Sequence, residues 1–308
     1  MKKDFLAITD YSANQIMDML NLAINFKKER IDKGENPAIL KGKVLGMIFQ
    51  KPSLRTRVSF DMAMRHLGGD ALYLSPNEIG LGKRESIADV ARVMSGYVDA
   101  IMARVFEHQH VLDLAKYSTI PVVNGLSDYN HPCQAMADML TIFEHYKDIN
   151  GLNVAFVGDG NNVAVSLMHV CTKLGLNFSL ASPEGYDLDQ NAIIIAQVIS
   201  STSGSKLLFT RDIHEVVKNA DVIYTDTWVS MGQEEEAKRR EAAFSGYQIN
   251  KALVSEANPD VIVLHCLPAH RGQEITDEVA DGPNSAVFQQ AHNRLHAQKA
   301  ILARLLDH

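Results

Sequence analysis

Short apolar runs alternate with amphipathic stretches along nearly the whole chain, and this alternation restricts the possible folds more than any other feature. The apolar runs have the length of buried strands, and the stretches between them repeat apolar residues at helical spacing. Strands that alternate with helices indicate parallel sheets covered by helices. We therefore predict an α/β protein with mostly parallel sheets flanked by helices.

The alternation falls into two series. The first has predicted strands at 44–49, 71–74, 100–103 and 120–123, and helices from Ser12 to about residue 29 and at 58–67, 87–96, 111–117 and 131–146. The second has predicted strands at 154–157, 178–181, 206–209, 222–225 and 261–264, and helices at 163–174, 191–200, 213–218 and 286–306.

The length of the chain favours two domains. A chain of 308 residues exceeds the size at which a single core usually keeps growing. The break between the two series lies at 147–151. We therefore predict a first domain at 1–147, with a long C-terminal helix at 286–308 packing back on it, and a second domain at 148–285.

Charge and composition exclude several classes of partner. The net charge is −7, which disfavours nucleic acid and acidic membranes because both need a basic surface. No apolar run approaches the roughly 20 residues of a membrane span, and the N-terminus becomes polar too soon for a signal peptide. The 3 Cys have no close spacing, which favours reduced thiols and a cytoplasmic location.

Two hydroxyls and two guanidinium groups stand where the first predicted strand turns into a helix. The sequence there is Ser53-Leu54-Arg55-Thr56-Arg57. Backbone N–H groups at a helix start favour an anion, and Arg adds paired donors that match phosphate oxygens. A capping Ser with solvated Arg side chains is the simpler alternative. The density of donors favours a site for a small phosphorylated compound.

A second polar motif, Asn130-His131-Pro132-Cys133-Gln134, follows a predicted strand and starts a helix. Pro suits the first helical position, and residues three apart share one helix face. His131 and Gln134 would therefore suit a carbonyl or phosphate oxygen. A capping His with a structural Gln explains the motif equally well.

A glycine-rich turn, Gly158-Asp159-Gly160-Asn161-Asn162-Val163, partly matches the dinucleotide-binding fingerprint. Val163 stands where the third Gly belongs, and the next predicted strand ends in Ala181-Ser182-Pro183 without an acidic ribose ligand. An NAD-linked dehydrogenase is thus a weaker alternative. A tight turn presenting Asn162 to a polar ligand fits better.

Two further motifs follow apolar strands of the second series. Asp226, at a strand end, could hold a ligand ammonium group, or could cap a helix that contains Glu234 to Glu236. Cys266, between His265 and His270 with Arg271 nearby, could have a lowered pKa. Zinc is a competing interpretation, which we reject because no second spaced ligand pair accompanies this Cys.

Taken in this order, the motifs resemble the aspartate/ornithine carbamoyltransferase family over nearly the whole chain. The segment from Ser53 to Arg57 is similar to the family's carbamoyl-phosphate loop, with Leu54 as a departure at its second position. His131 to Gln134 is similar to the family motif H-P-x-Q. The resemblance implies that carbamoyl phosphate is bound by Ser53, Leu54, Arg55, Thr56, Arg104, His131, Gln134, Cys266, Leu267 and Arg294.

Two motifs resemble the ornithine branch of that family. His265-Cys266-Leu267-Pro268 is similar to H-C-L-P, and the segment from Asp226 to Gly232 is similar to the ornithine loop. The resemblance implies that ornithine is held by Asn162, Asp226, Ser230 and Met231, with Cys266 and the Leu267 backbone beside its side-chain amine. It implies catalytic roles for Arg104, His131, Asp226 and Cys266.

One loop departs from the family pattern. The family often shows I-Q-L-G-x-G-E in a loop that a neighbouring subunit lends to the site, whereas this chain has Gly80 in place of the Gln. Our hypothesis is that Lys83 or Arg84 supplies the missing contact, because both are charged.

The resemblance implies a reaction in arginine metabolism: carbamoyl phosphate and L-ornithine give L-citrulline and phosphate. It implies no metal, no redox cofactor, and a homotrimer. A non-catalytic relative that only binds a partner remains an alternative. Acetylated or succinylated ornithine, or putrescine, remains possible as the second substrate.

Overall fold

The chain folds into two compact units in the computed structural model, which describes residues 3–229 and 234–307. One unit runs to Leu140 and takes in the C-terminal segment from His292 onward, and the other is Thr141–Ala291. Within the described residues, no helix has both the length and the apolar character needed to cross a membrane.

The first unit follows the predicted alternation of strands and helices. Its elements are α1 (Ala13–Lys33), β1 (Val44–Phe49), α2 (Leu54–His66), β2 (Asp70–Leu74), α3 (Pro76–Ile79), α4 (Ile87–Met94), β3 (Ala100–Arg104), α5 (His108–Tyr117), β4 (Val122–Leu126) and α6 (Pro132–Tyr146), of which α6 continues into the second unit. Ser12 and Gln15 form a capping box at the start of α1.

The four strands of this unit form a parallel sheet in the order β2-β1-β3-β4. The chain moves to one side of β1 to form β2 and returns to the other side to form β3. The strand order therefore reverses between β1 and β3, where parallel sheets bind ligands at the carboxyl ends of the strands. Phe49 and Arg104 are register partners at this edge.

The second unit contains the second series of elements. They are β5 (Asn153–Val157), α7 (Asn162–Leu174), β6 (Asn177–Ala181), α8 (Gln190–Ser203), β7 (Leu207–Thr210), α9 (Ile213–Val217), β8 (Val222–Thr225), α10 (Ala237–Ala243), α11 (Lys251–Val254), β9 (Ile262–His265), α12 (Asp277–Ala280) and α13 (Val287–Leu306), of which α13 ends in the first unit.

The strands β5 to β9 form a second parallel sheet in the order β7-β6-β5-β8-β9. Its order reverses between β5 and β8. The turn after β5 and the segment after β8 therefore emerge at one place, and β9 ends beside β8 with Thr225 opposite His265. The predicted fold class, two mostly parallel sheets flanked by helices, is confirmed.

Each sheet is covered by helices that bury apolar side chains against it. In the first unit one core joins β1, β3 and β4 to α4 and α5 through Val90, Met94, Ile101, Val111 and Leu114. In the second unit a core joins β5, β8 and β9 to α9, α11 and α12 through Val157, Val217, Ile223, Leu253 and Val263. These packed layers hold the strand ends, where the candidate site residues lie.

Some predicted boundaries were wrong. Helix α2 begins at Leu54 and not at residue 58, because Ser53 already caps it. Helix α4 ends at Met94, two residues before the predicted end, and α1 continues to Lys33, where Gly34 takes up a left-handed conformation. The short helices α3, α10, α11 and α12 were not predicted, since their four to seven residues are too few for a helical period to stand out.

Candidate active site

The first turn of α2 carries the polar loop after β1. The side chain of Ser53 accepts a hydrogen bond from the backbone N–H of Thr56 at 3.3 Å. Arg55, Thr56 and Arg57 therefore lie on the helix itself, beside its positive end. Arg57 stacks on the ring of Tyr73 at 4.0 Å, which directs this guanidinium towards β2. Of these two arginines, Arg55 is the one that contributes positive charge around His131.

His131 lies within a cluster of positive charge just before α6. It is buried, and its pKa is held well below its usual range, first by burial and then by the guanidinium groups of Arg294, Arg104 and Arg55. At neutral pH this imidazole is therefore uncharged. The surrounding cations can offset the two negative charges of a dianion such as a phosphate group.

Gln134 and Arg294 join two distant parts of the chain. Arg294 on α13 donates from Nη1 to Oε1 of Gln134 at 2.7 Å and from Nη2 to Oγ1 of Thr56 at 3.3 Å. All three side chains are buried. The structure thus brings together the predicted residues of α2, α6 and α13 within the first unit.

Arg104 ends β3, as expected, and it lies at the place where the strand order reverses. Its carbonyl oxygen accepts a hydrogen bond from the backbone N–H of Gln50, which ties the end of β3 to the segment that leads into α2. The guanidinium contributes to the positive charge around His131.

The second unit contains a separate polar cluster centred on Asp226. Asn161 donates from Nδ2 to one carboxylate oxygen at 2.8 Å, and the thiol of Cys266 donates to the other at 2.8 Å. Asp226 is 5% exposed. The alternative that Asp226 caps a helix is wrong, because α9 precedes it and the next described helical turn begins at Glu234.

Asn161 has a second role at the start of α7. Its side-chain oxygen accepts hydrogen bonds from the backbone N–H groups of Val163 and Ala164. Asn162, the predicted ligand residue, is the first residue of the helix. A Cβ atom at Gly160 would lie 2.4 Å from the backbone at Asp187 and Leu188, so the protein's own chain occupies the space that a pyrophosphate would need beside this glycine.

The backbone after β9 is held by a buried His–Glu pair. His265 Nδ1 accepts from the Leu267 N–H at 2.9 Å, so its proton is on Nε2, which donates to Oε1 of Glu274 at 3.0 Å. Leu267 has a φ of 57°, which is rare for a residue with a side chain. The His265–Glu274 pair therefore fixes the backbone next to Cys266.

A buried ion pair lies behind the glycine-rich turn. Arg240 on α10 contacts the carboxylate of Asp159 and donates from Nε to the carbonyl oxygen of Trp228 at 2.6 Å. Its guanidinium also lies over the rings of Tyr186 and Phe244. Burial raises the pKa of Asp159 to about 6 in spite of Arg240, so the carboxylate is charged at neutral pH. This pair anchors the backbone at Trp228.

The remaining predicted residues either lie outside the described residues or stand apart from these clusters. Ser230 and Met231 lie outside the described residues. The Leu54 side chain is 75% exposed. Gly80 has a φ of 58° at the end of α3, which explains why a glycine is suited to this position. Lys83 and Arg84 follow on the exposed side of the same turn, where Arg84 bonds the carbonyl oxygen of Glu78 at 3.3 Å.

Three possible metal ligands also meet in the second unit. The ligand atoms of Asp226, His265 and Cys266 lie within 4.8 Å of one another. Sequence alone did not suggest Asp226 as a third ligand to accompany the Cys and His. Both ring nitrogens of His265 are already hydrogen-bonded, to Leu267 and Glu274, so metal binding there would break one of these bonds.

The sequence did not indicate a functional role for several residues of these clusters. Asn161 lies in the glycine-rich turn, and Glu274 follows the motif that begins at His265. Only the adjacent pair Asn161-Asn162 and the His-x₈-Glu spacing could have indicated their roles from the sequence. The glycine-rich turn also contains Asp159, for which the sequence indicated no role. Arg240 lies in a stretch of charged residues, where one buried Arg cannot be told apart from solvated neighbours.

Comparison with known proteins agrees with the two units. Residues 3–144 match the sequence model of the aspartate/ornithine carbamoyltransferase carbamoyl-P binding domain. Residues 150–305 match the model of the Asp/Orn binding domain of the same family. Together these matches cover nearly the whole chain.

Individual relatives extend this similarity over the full length. The chain is 55% identical over 305 residues to a Pyrococcus furiosus protein named "Ornithine carbamoyltransferase, anabolic", covering 99% of this chain and 96% of that one. It is 53% identical over 304 residues to the ornithine carbamoyltransferase of Bacillus subtilis, covering 99% and 94%. The solved structure of the Pyrococcus furiosus enzyme superposes with a TM-score of 0.96 at 54% identity, covering 99% and 97%. This chain therefore belongs to the aspartate/ornithine carbamoyltransferase family.

Proposed function

We propose that this protein transfers the carbamoyl group of carbamoyl phosphate to the side-chain amine of L-ornithine, giving L-citrulline and phosphate. The observation that carries the proposal is the cluster of three guanidinium groups around the neutral, buried His131 beside the start of α2. Such a cluster suits an acyl phosphate. Relatives that share 99% of the chain length are named ornithine carbamoyltransferase.

The phosphate group is bound in the first unit. Ser53, Leu54 and Thr56 present the start of α2, where backbone N–H groups and the helix dipole favour an anion. Arg55, Arg104 and Arg294 offset the charge on the phosphate as it leaves. These are the roles that the family pattern assigns to the residues that the fold brings together here.

The carbonyl oxygen of the carbamoyl group becomes negative when the amine attacks. Thr56, Arg104 and His131 are the donors for this oxyanion, and Gln134 lies beside them. A neutral imidazole can donate one N–H without adding a further positive charge. Loss of one such donor typically lowers kcat by about 10²–10³-fold.

Ornithine is held by residues of the second unit. Asn162, Asp226, Ser230 and Met231 bind its amino-acid end, and Cys266 and the Leu267 backbone lie beside its side-chain amine. Asn161 and Cys266 orient the Asp226 carboxylate, and His265 and Glu274 hold the backbone at Leu267. The amine attacks the carbamoyl carbon, the tetrahedral intermediate collapses, and phosphate departs with the electron pair of the broken C–O bond. The departing phosphate takes up the proton that the amine nitrogen loses.

The attacking amine must be unprotonated. An alkyl ammonium group has a pKa of roughly 10.4, so only about a thousandth is free amine at pH 7.4, which corresponds to ~4 kcal/mol. We therefore expect kcat/KM for ornithine to rise between pH 7 and 8.5. A flat profile over this range would exclude attack by the free amine of ornithine from solution.

The functional domains are 1–147 with 286–308 for carbamoyl phosphate, and 148–285 for ornithine. The enzyme acts in the cytoplasm, without a metal or redox cofactor, and in the anabolic direction towards arginine, as the name of the Pyrococcus furiosus relative supports. It is a homotrimer. Exposed apolar side chains on successive elements of the first unit, Leu54, Val58 and Leu72, support an assembly that covers them.

The test is formation of citrulline by the purified protein from carbamoyl phosphate and L-ornithine, with stoichiometric release of phosphate. Putrescine, N-acetylornithine and N-succinylornithine are the matched alternative acceptors. Faster turnover of any of these would reassign the second substrate. No phosphate release with any acceptor would favour the non-catalytic alternative. The KM for carbamoyl phosphate in Lys83→Ala and Arg84→Ala tests the cross-subunit hypothesis.

A further inference from the structure

A buried carboxylate lies one helical turn beyond Gln134, and no role described above uses it. Asp138 on α6 is fully buried. Burying a carboxylate costs much free energy unless hydrogen bonds or a countercharge compensate it. Its contact with Gln134 relates it to the proposed carbamoyl-phosphate residues.

Four buried side chains form a continuous hydrogen-bonded row. Gln134 Nε2 donates to Oδ1 of Asp138 at 2.8 Å, and Oε1 of the same amide accepts from Arg294 at 2.7 Å. Arg294 in turn donates to Thr56 on the first turn of α2. The row therefore leads from Asp138 to the start of the helix that carries Ser53 and Arg55.

The chemistry at the two ends of the row allows one orientation of the amide. A carboxylate only accepts hydrogen bonds and a guanidinium only donates them. If the Gln134 amide were turned over, its NH₂ group would face the donors of Arg294 and its oxygen would face the acceptor of Asp138. Because the bond with Arg294 involves a charged group, it is stronger than a bond between neutral partners.

We propose that Asp138 is a positioning residue that fixes which end of the Gln134 amide faces Arg294. The inference rests on the proposed function, since its consequence is for carbamoyl phosphate. With Asp138 in place, the amide oxygen of Gln134 holds the Arg294 guanidinium against Thr56 before the substrate arrives. Without Asp138, the amide is held at one end only, so it is less firmly fixed and Arg294 loses a rigid acceptor.

A double-mutant cycle tests this coupling. We expect Asp138→Leu to lower kcat/KM for carbamoyl phosphate by about 10- to 100-fold, as displaced binding groups typically do. Asp138→Asn keeps an acceptor oxygen and should stay within about threefold of the wild type. Gln134→Leu/Asp138→Leu should be no worse than Gln134→Leu alone, because Asp138 acts through Gln134. The KM for ornithine should change by less than about twofold throughout, since Gln134 and Asp138 lie in the first unit and the proposed ornithine residues lie in the second.

The chain offers a matched control on its surface. Gln109 donates to Asp113 at 3.0 Å on α5 with the same four-residue spacing, and this pair is exposed. Asp113→Leu should leave both kinetic constants unchanged. Losses that add in the Gln134/Asp138 cycle, or an Asp138→Asn variant as poor as Asp138→Leu, would overturn the inference and leave Asp138 a purely structural group.

Two further readouts keep the test decisive. If Asp138→Leu does not fold, the double variant compared with Gln134→Leu carries the test, since the double variant leaves neither the amide of Gln134 nor the carboxylate of Asp138 facing an apolar side chain. Calorimetric binding of carbamoyl phosphate gives the same comparison without turnover. A wild-type protein that binds carbamoyl phosphate but makes no citrulline would refute the proposed function, whereas equal binding by wild type and Asp138→Leu would refute this inference.

Discussion

At the scale of single residues, the chemistry of the site depends on side chains whose partners are fixed by their neighbours. Asp226 is hydrogen-bonded by Asn161 and Cys266, and His265 is locked in one tautomer by Leu267 and Glu274. The sequence pointed to Asp226 and Cys266, because a carboxylate and a thiol after strands are typical of ligand sites. It did not point to Asn161, because capping and ligand-orienting asparagines look alike in a sequence.

Asn161 has two functions that substitutions can separate. Asn161→Ala should lower the unfolding free energy by ~1 kcal/mol through loss of the cap of α7. Asn161→Asp keeps a capping oxygen for α7 but replaces the N–H donor to Asp226 by a second carboxylate, so it removes the contact with Asp226 while the cap stays in place. We expect both variants to raise the KM for ornithine about tenfold, equivalent to one lost hydrogen bond of roughly 1.4 kcal/mol.

Thermal unfolding and steady-state kinetics of the two variants measure these effects separately. The KM for carbamoyl phosphate is the internal control, because most of its proposed residues lie in the first unit. An Asn161→Asp variant with wild-type ornithine KM would show that the contact between Asn161 and Asp226 has no part in binding.

At the scale of secondary-structure elements, buried polar contacts connect helices and turns that the sequence separates widely. Arg240 on α10 reaches Asp159 after β5, 81 residues earlier in the chain. His169 on α7 bonds the backbone of α8 at Ala192. Such contacts tie the elements of the second unit together.

Removing one partner of the Asp159–Arg240 pair should lower the unfolding free energy more than replacing both partners with apolar residues. Arg240→Leu leaves a buried carboxylate without its partner and should lower the unfolding free energy of the second unit by ~3–5 kcal/mol. Asp159→Leu/Arg240→Leu removes both charges and should recover much of that loss. The chain has a single Trp, Trp228, whose carbonyl oxygen bonds Arg240, so its fluorescence reports urea unfolding at this place. A double variant no more stable than Arg240→Leu would contradict the role of the pair.

His169 makes the stability of the second unit depend on pH. Burial lowers the pKa of His169, and its Nε2 N–H donates to the Ala192 carbonyl oxygen at 3.0 Å. Below about pH 6.5 the unfolded chain binds a proton at His169 that the folded chain does not bind, so folding stability falls as pH falls. The slope from one such group is at most about 1.4 kcal/mol per pH unit.

The comparison with His169→Gln isolates this group from the other buried histidines. Gln is uncharged and keeps an N–H donor, so the variant should lose less stability than the wild type between pH 7.5 and 5.0. Urea midpoints at the two pH values give the difference. Equal losses in both proteins would mean that His169 does not titrate during unfolding.

At the scale of the whole molecule, the first unit has an exposed apolar surface that the proposed trimer would cover. Val58 on α2 and Leu72 on β2 are 48% and 49% exposed, and β2 is an edge strand of its sheet. Edge strands with exposed apolar residues tend to pair with other chains unless something covers them. A second and third copy of this chain are the proposed cover.

Charged substitutions on this surface test the proposed trimer. Val58→Lys and Leu72→Lys should shift the mass seen by sedimentation from three chains towards one, because a buried unpaired charge strongly opposes association. Val198→Lys is the matched control, since Val198 is an exposed valine on a helix of the second unit at 66% exposure. The proposal fails if the Val58→Lys and Leu72→Lys proteins sediment as the wild type does.

The local pattern of the chain was sufficient for the strand and helix series, the polar residues at the start of α2 and the polar residues at strand ends. These follow from periodicity, caps and residue chemistry, which act over a few residues. The tertiary structure alone decided the strand orders, and with them which strand ends are neighbours. It also decided that Arg294 meets Thr56, 238 residues away, and that Cys266 meets Asp226, 40 residues away. Contacts between distant residues depend on how whole sheets and helices pack, and no local pattern carries that information.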